Sequence, residues 1–232
     1  MKDLRFATKM SVLLGVVLLA AAPAAGEQTL AHYDFEDERF DPEANTWTVT
    51  DKSSASGADA VVAADQLRIV AWNDSHAAHM PAGAPVELVH PRFDRGYEAG
   101  LKLEMTLQFE TLRDKGNAAV MRKWNSTDQE RSFMLFYRAP HLRFSISGDG
   151  KSADTVKSNR IETGTVYQLT VVFDPEQDEL SMTLVDADDK EMRWTEQTDI
   201  DRLYVSNHPI QLGAGFDGYL DDVRISTLED DD

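Results

Sequence analysis

The sequence predicts an all-β protein, an antiparallel sandwich of two sheets. Three observations predict this fold class. Apolar and polar residues alternate with a period of two along much of the chain after residue 26, as they do in half-buried strands. Turn residues interrupt the alternation about every ten residues, a spacing typical of sandwiches. No segment shows a sustained helical stripe, and residues 198–204 could hold one helical turn at most.

The predicted strands differ in their expected burial. Residues 101–109 alternate between apolar and polar side chains, which predicts one wet face. Residues 133–137 are apolar on both sides, which predicts a central strand, and residues 166–173 form an almost continuous apolar run. In chain order, the predicted strands are residues 30–35, 45–51, 66–72, 101–109, 133–137, 142–146, 166–173, 180–185 and 219–226. Polar turns are predicted at 51–57, 147–150, 174–178 and 186–190, and a loop-rich stretch at 73–91.

The first 26 residues have the pattern of a secretory signal peptide. Basic residues come first, a short apolar run follows, and the small residues Ala24, Ala25 and Gly26 precede Glu27. The apolar run is too short for a comfortable membrane span, although an uncleaved anchor is the alternative. The sequence therefore predicts a signal peptide at 1–26, one sandwich domain at 27–228 and an acidic tail at 229–232.

Charge and cysteine content restrict the partners and the compartment. The formal net charge is −18, and it is −20 after residue 26, because the first segment holds three basic residues and one acid. Such a surface repels nucleic acid and anionic lipid, and it disfavours strongly anionic polysaccharides unless a local basic patch exists. The acids are consistent with simple solubility or with cation binding. With no cysteine, the chain has no disulfide, which favours a secreted or periplasmic bacterial protein.

The order of several segments resembles the LamG-like (laminin G-like) domains of the concanavalin A-like lectin/glucanase superfamily, which are two-sheet jelly rolls. Two departures stand out, because Val166 occupies the position of a usual tryptophan and residues 58–100 match poorly. The segments that carry the resemblance are 32–37, 51–57, 103–107, 120–124, 133–137, 142–146, 164–174 and 216–225. The resemblance implies a jelly-roll sandwich, but the function has to be argued from the site.

The resemblance also implies a structural Ca²⁺ between the first strand and the closing strand. The carboxylates that match are Asp34, Glu36, Asp51 and Asp221, and Ca²⁺ takes its ligands from such oxygens. Asp221 is expected at an inward-facing position of the closing strand, with Asp222 on the opposite side, solvated or paired with a base. The alternative is that these acids are surface charges or cap turn amides.

A sugar-binding surface is the second hypothesis. Its candidate residues are Arg122, Trp124, Tyr137, Arg138 and His141. Aromatic faces stack on sugars, and arginine forks bind hydroxyl or carboxylate groups. The alternative is that Tyr137 belongs to the core and that Trp124 packs at the end of a strand.

Catalytic and zinc signals are weaker. Glu104 and Glu110 share a polar face but lie roughly 20 Å apart along a strand, too far for a glycosidase pair. His76, His79 and His90 lie in one stretch of the sequence. They are interpreted either as a zinc site or as ordinary loop residues. The sequence therefore predicts a secreted, non-catalytic protein that binds a glycan or an extracellular protein, with no nucleic acid partner and no membrane span. A glycan-active hydrolase or lyase and a purely structural envelope protein are the alternatives.

Overall fold

The computed structural model describes residues 27–54, 57–73 and 75–228, and within them it is an all-β protein. One 3₁₀ turn, Pro91–Phe93, is the helical element of the described part. The strands are β1 (Glu27–Tyr33), β2 (Arg39–Asp41), β3 (Thr46–Val49), β4 (Ala60–Ala63), β5 (Arg68–Trp72), β6 (Ser75–Met80), β7 (Val86–Leu88), β8 (Leu101–Phe109), β9 (Ala118–Asn125), β10 (Glu130–Arg138), β11 (His141–Ile146), β12 (Asp154–Arg160), β13 (Val166–Asp174), β14 (Glu179–Asp186), β15 (Glu191–Gln197), β16 (Ile210–Leu212) and β17 (Gly218–Leu228).

Two antiparallel sheets form a jelly-roll-type sandwich, which confirms the predicted fold class. The eight-stranded sheet has the order β15-β14-β13-β8-β17-β6-β5, with β1 also paired to β17. The six-stranded sheet has the order β12-β11-β10-β9-β16-β7, and a small sheet, β2-β3-β4, adds Val49 and Val62 to the core. The predicted central strand is confirmed, because β10 lies between β9 and β11.

The core fills the space between the two large sheets. In β8, Leu101, Leu103, Met105, Leu107 and Phe109 are all buried, and the residues between them are partly exposed. Phe109 packs edge-on against Phe216 with 4.9 Å between the ring centroids. The period-two alternation thus places one face of β8 in the core and leaves the other in solvent.

The first and last strands are neighbours, as expected from the sequence. β1 pairs with β17, with His32 opposite Arg224. The inward position predicted for Asp221 is wrong, because Asp221 lies opposite Thr106 on the outer face of β8. A bulge between Asp221 and Arg224 changes the alternation, and Asp222 takes a φ of 50° there. The bulge lets Leu220 and Val223 both reach the core.

Several elements differ from the sequence prediction. The stretch 73–91 is not mainly loop, because β6 pairs with β5 and β17 and β7 pairs with β16. Its alanines and histidines give a weak alternation signal, and tertiary packing decides the strand. The structure also contains β2, β4, β12, β15 and β16, for which no strand was predicted, and it has no helical turn at 198–204.

The predicted signal peptide at 1–26 and the acidic tail at 229–232 lie outside the described residues. Among the residues that the structure covers, none forms a helix with the length and apolar character needed to cross a membrane.

Candidate functional site

The outer face of the six-stranded sheet carries a row of directly opposed side chains. Pairing places Gln211 opposite both Glu87 and Arg122, and Arg122 opposite Met134. Arg122 donates from Nε to Gln211 Oε1 at 2.8 Å, and Gln211 donates from Nε2 to Glu87 Oε1 at 2.8 Å. This chain of hydrogen bonds fixes both side chains across three strands. Burial lowers the pKa of Arg122.

A pocket of about 400 Å³ opens beside this row. The predicted residues Arg122 and Trp124 both line it, together with Gln211. Further polar side chains come from the ends of strands and from loops, namely Asn117, Asn125, Ser126, Thr127 and His208. The pocket therefore offers hydrogen-bond donors and acceptors around a small apolar floor of Ala119, Met134 and Ala214.

Trp124 contributes packing more than an open stacking surface. It is only 9% exposed and clusters with Ala119, Met134 and Phe136. The Arg131 guanidinium lies 5.7 Å from the ring centroid, and Trp124 Nε1 donates to Ser126 Oγ at 3.0 Å. This agrees with the alternative in which Trp124 packs at a strand end.

The other three predicted sugar-binding residues lie elsewhere. Tyr137 is a core residue, 5% exposed, and its ring packs 5.8 Å from Phe109, because Tyr137 faces inward on β10. Arg138 and His141 face each other across the β10–β11 hairpin, and His141 Nδ1 donates to Ser158 O at 2.8 Å. Arg138 lies seven positions along β10 from Arg131, the partner of Trp124, or roughly 20 Å away.

A second polar cluster lies on the outer face of the eight-stranded sheet. His79 Nε2 and Glu110 Oε2 are 2.9 Å apart, and Tyr219 donates from its hydroxyl to Glu110 Oε1 at 2.8 Å. One ligand atom from each of His79, Glu110 and Asp217 lies within 4.8 Å of the others, so the set could hold a divalent cation. Trp72 stacks on Tyr219 with 5.6 Å between centroids, beside a pocket of about 430 Å³.

Sequence reasoning missed this cluster, although one signal was available. Gln108 and Glu110 continue the alternating series of residues on the solvent-facing side of β8. Gln108 also accepts a hydrogen bond from Trp72 Nε1 at 3.2 Å. The hydrogen bonds of the cluster shift the pKa values of two of its members. Hydrogen bonds from His79 and Tyr219 lower the pKa of Glu110, and the same Glu110 raises the pKa of Tyr219. Glu110 is thus a poor proton donor, and Tyr219 is a poor base.

Among the predicted Ca²⁺ ligands, Asp51 has another role. Its side chain is 0% exposed, and it accepts hydrogen bonds from the backbone N–H of His32, Ser53 and Ala58 and from the Ser53 hydroxyl. Asp51 therefore caps turn amides, as in the alternative reading. Glu36 is similarly occupied by the Ser75 hydroxyl and by the backbone N–H and ring of His76, which lower its pKa to about 2.

The side chains of Asp34 and Asp221 each accept one backbone hydrogen bond on Oδ1, from Glu36 and from Asp222. Burial, Asp222, Glu36 and Asp34 together raise the pKa of Asp221 to about 6. Asp222 pairs with His32 at 2.6 Å and with Arg224 at 3.0 Å, as expected for an acid beside basic neighbours. Within the described residues, no three of the four predicted carboxylates bring ligand atoms within 4.8 Å of one another, and Ca²⁺ binding in this region stays a prediction.

The three histidines of residues 73–91 have separate partners. His76 pairs with Glu36 at 3.1 Å, and His79 pairs with Glu110. His90 caps the 3₁₀ turn by accepting from Arg92 N at 3.3 Å. They do not converge on one zinc site.

Comparison with known proteins places the fold but not a family. No family model matches the chain, and no curated protein matches it. Among solved structures, the binding domain of Paraclostridial Mosquitocidal Protein 1 has a TM-score of 0.62 at 12% identity, covering 87% of this chain and 49% of that one. The botulinum neurotoxin serotype G binding domain has a TM-score of 0.60 at 7% identity, covering 87% and 48%.

A third similar structure is the ligand-binding domain of botulinum neurotoxin serotype D in complex with N-acetylneuraminic acid. Its TM-score is 0.55 at 11% identity, covering 87% of this chain and 48% of that one. The chain therefore spans about half the length of the structures it matches. At such identities the likeness shows a shared β-sandwich fold, in proteins that are themselves binding domains.

Proposed function

We propose that this protein is a secreted, non-catalytic module that binds carbohydrate through the pocket on the outer face of the six-stranded sheet. The observation that carries the proposal is the fixed row of Glu87, Gln211 and Arg122 beside that pocket. Side chains held by one another lose little conformational freedom when a ligand binds, so their amide and guanidinium groups are ready to meet sugar hydroxyls.

The similar structures support a binding role. They are binding domains, and that of botulinum neurotoxin serotype D is in complex with N-acetylneuraminic acid. The binding domain of botulinum neurotoxin DC is in complex with rat synaptotagmin II. Because the chain spans about half of those structures, their ligands are not carried over to it. An extracellular protein is the alternative ligand class for the same face.

The finer assignments complete the proposal. The order of the sequence segments supports a LamG-like domain, and the pattern of residues 1–26 supports export to the periplasm or the exterior. A structural Ca²⁺ at Asp34 and Asp221 would offset the repulsion between these carboxylates. Calcium titration followed by thermal unfolding tests it, and an unchanged midpoint with both chelator and excess calcium contradicts it.

A glycan-active hydrolase of the same fold is less well supported. The convergent pair Glu110 and Asp217 is the feature that favours it, but a hydrolase needs one carboxyl group held protonated. The pKa of Glu110 is lowered instead, by its hydrogen bonds from His79 and Tyr219.

A glycan array probed with the full chain tests the proposed function. We expect hits whose signal falls about tenfold in Gln211→Ala, because the variant removes the acceptor that holds the Arg122 guanidinium beside the pocket. Gln168→Ala is the matched control, since Gln168 is an exposed glutamine on β13 of the other sheet. Absence of any hit above background contradicts carbohydrate binding, and equal losses in both variants contradict the pocket assignment.

A further inference from the structure

Six cationic side chains share the outer face of the six-stranded sheet. Strand pairing places them on one side: Arg143 lies opposite Phe136 and Lys157, and His141 lies opposite both Arg138 and Arg160. Their inward neighbours Leu142, Phe144 and Val156 are buried in the core. We call this surface the basic face, and its cations are Arg122, Arg131, Arg138, Arg143, Lys157 and Arg160.

The cations of the basic face have no carboxylate partner. Within residues 27–54, 57–73 and 75–228, none of the six forms an ion pair. Glu87, which lies on this face opposite Gln211, is hydrogen-bonded by Gln211. The Nε atoms of Arg131 and Arg143 are buried and without a hydrogen-bond partner.

On the strands of the opposite sheet, three of the four Lys and Arg side chains have a carboxylate partner, and Arg68 on β5 is the exception among the described residues. Lys102 contacts Glu27 at 2.9 Å, Arg193 contacts Glu179 at 2.8 Å, and Arg224 contacts Asp222 at 3.0 Å. In a chain with 41 acidic and 23 basic residues, neutralised cations are the expected outcome. Six cations without a carboxylate on one face therefore point to an anionic partner from outside the chain.

The arrangement is extended rather than compact. Arg131 and Arg138 lie at the two ends of β10, roughly 20 Å apart, and neighbouring strands are spaced about 4.8 Å. Arg143 and Lys157 lie between those ends on β11 and β12. A small anion could meet only part of this surface, whereas a linear polymer with repeated charges could meet all of it.

We propose that the basic face binds a linear polysaccharide that carries one carboxylate on each sugar, a polyuronate. This inference rests on the proposed function and names its ligand class. The guanidinium groups of Arg138, Arg143 and Arg160 meet carboxylates, because the arginine fork matches a carboxylate in a bidentate fashion. The pocket at Arg122 and Gln211 meets the hydroxyl groups at one end of the bound segment.

The observations favour a polyuronate over nucleic acid. Duplex DNA carries one charge per about 1.7 Å, so the net charge of −18 repels it more strongly than a polymer with one charge per sugar. Single strands bind through stacked bases, and Trp124, which lies on this face, is already covered by Arg131. Sugar hydroxyls need no stacking platform when amides and guanidinium groups surround them.

Affinity electrophoresis of the full chain in gels that contain polygalacturonate tests the inference. The comparison polymers are neutral dextran, dextran sulfate and single-stranded DNA. We expect Arg143→Gln with Lys157→Gln to weaken retention by polygalacturonate roughly tenfold for each cation removed. Lys102→Gln with Arg193→Gln makes the same change of charge on the other sheet, and we expect it to change retention less than about twofold, since those cations are already paired.

The outcomes distinguish failure of the polyuronate assignment from failure of the proposed function. Preferential retention by polygalacturonate that the first variant loses, and that salt weakens, supports the polyuronate assignment. If dextran retains the protein as strongly as polygalacturonate does, and Arg143→Gln with Lys157→Gln does not change this retention, the inference is overturned but carbohydrate binding stands. Equal or tighter retention by dextran sulfate or by DNA overturns the choice of a carboxylated glycan. No retention by any polysaccharide overturns both this inference and the proposed function.

Discussion

Replacement of Asp221 by asparagine is expected to stabilise the protein at neutral pH. Asp221 is half-buried on the outer face of β17, accepts a hydrogen bond from the backbone N–H of Asp222 at 2.7 Å, and lies near Glu36 and Asp34. Burial and these like charges disfavour its ionised form and raise its pKa from 3.8 to about 6. Asparagine keeps the accepting oxygen and removes the charge.

The magnitude follows from the two pKa values. The rise from 3.8 to about 6 spans about two pH units, and each unit is worth about 1.4 kcal/mol, or about 3 kcal/mol in total. Because the side chain is partly exposed, solvent screening reduces this to about 1–2 kcal/mol. The folded state holds the proton more firmly than the unfolded state. The protonated form therefore stabilises the fold below about pH 4, and this contribution is lost as the pH rises through about 6.

Urea unfolding of the wild type and of Asp221→Asn, with chelator present, measures the effect. We expect the variant to be more stable by about 1–2 kcal/mol near pH 7.5, with a difference that vanishes near pH 3.5. Asp65→Asn at an exposed position is the control. A variant that is less stable than the wild type at pH 7.5, or a difference independent of pH, would refute the reasoning. If Ca²⁺ binds here, its addition narrows the gap by stabilising the wild type alone.

Two further predictions concern stability. Lys123 is fully buried and donates to Asp94 Oδ1 and to the backbone oxygen of His208, both at 2.8 Å. Asp94→Ala leaves this buried charge without its carboxylate, so we expect it to lower the free energy of unfolding in urea by about 2–3 kcal/mol. The double variant with Lys123→Met should cost less, and a neutral Asp94→Ala would contradict the buried-charge argument. A Cβ at Gly218 would lie 2.0 Å from Gln108 O, so Gly218→Ala is expected to lower the free energy of unfolding by about 3 kcal/mol; an unchanged urea midpoint would contradict this.

The sequence was sufficient where the signal is local. Strict alternation in residues 101–109 predicts β8 residue for residue, because one face of that strand is wholly core and the other wholly wet. Apolar runs identify β10 and β13, and alternation identifies β14, each within three residues at either end. It fails at β6, whose alternation is hidden by small alanines and by histidines that are paired in the folded state.

The sites depended on information that no local pattern contains. Tyr137 and Arg138 are adjacent in sequence, yet one is in the core and the other on the basic face, because successive residues of a strand point to opposite sides. Asp51 accepts hydrogen bonds from amides of its own turn and from the N–H of His32 on β1, and only the fold brings His32 to it. The cluster of His79, Glu110 and Asp217 is likewise assembled from distant positions.

The amino-acid sequence alone thus determined the fold class, the strands with a regular alternation and the acidic charge of the whole chain. The tertiary structure alone decided where the charges lie. Strand register sets Arg138, Arg143, Lys157 and Arg160 side by side, and on the opposite sheet it gives Lys102, Arg193 and Arg224 their carboxylate partners. Net charge is a sum over residues, whereas a binding face depends on which residues become neighbours, and only the pairing of strands specifies that.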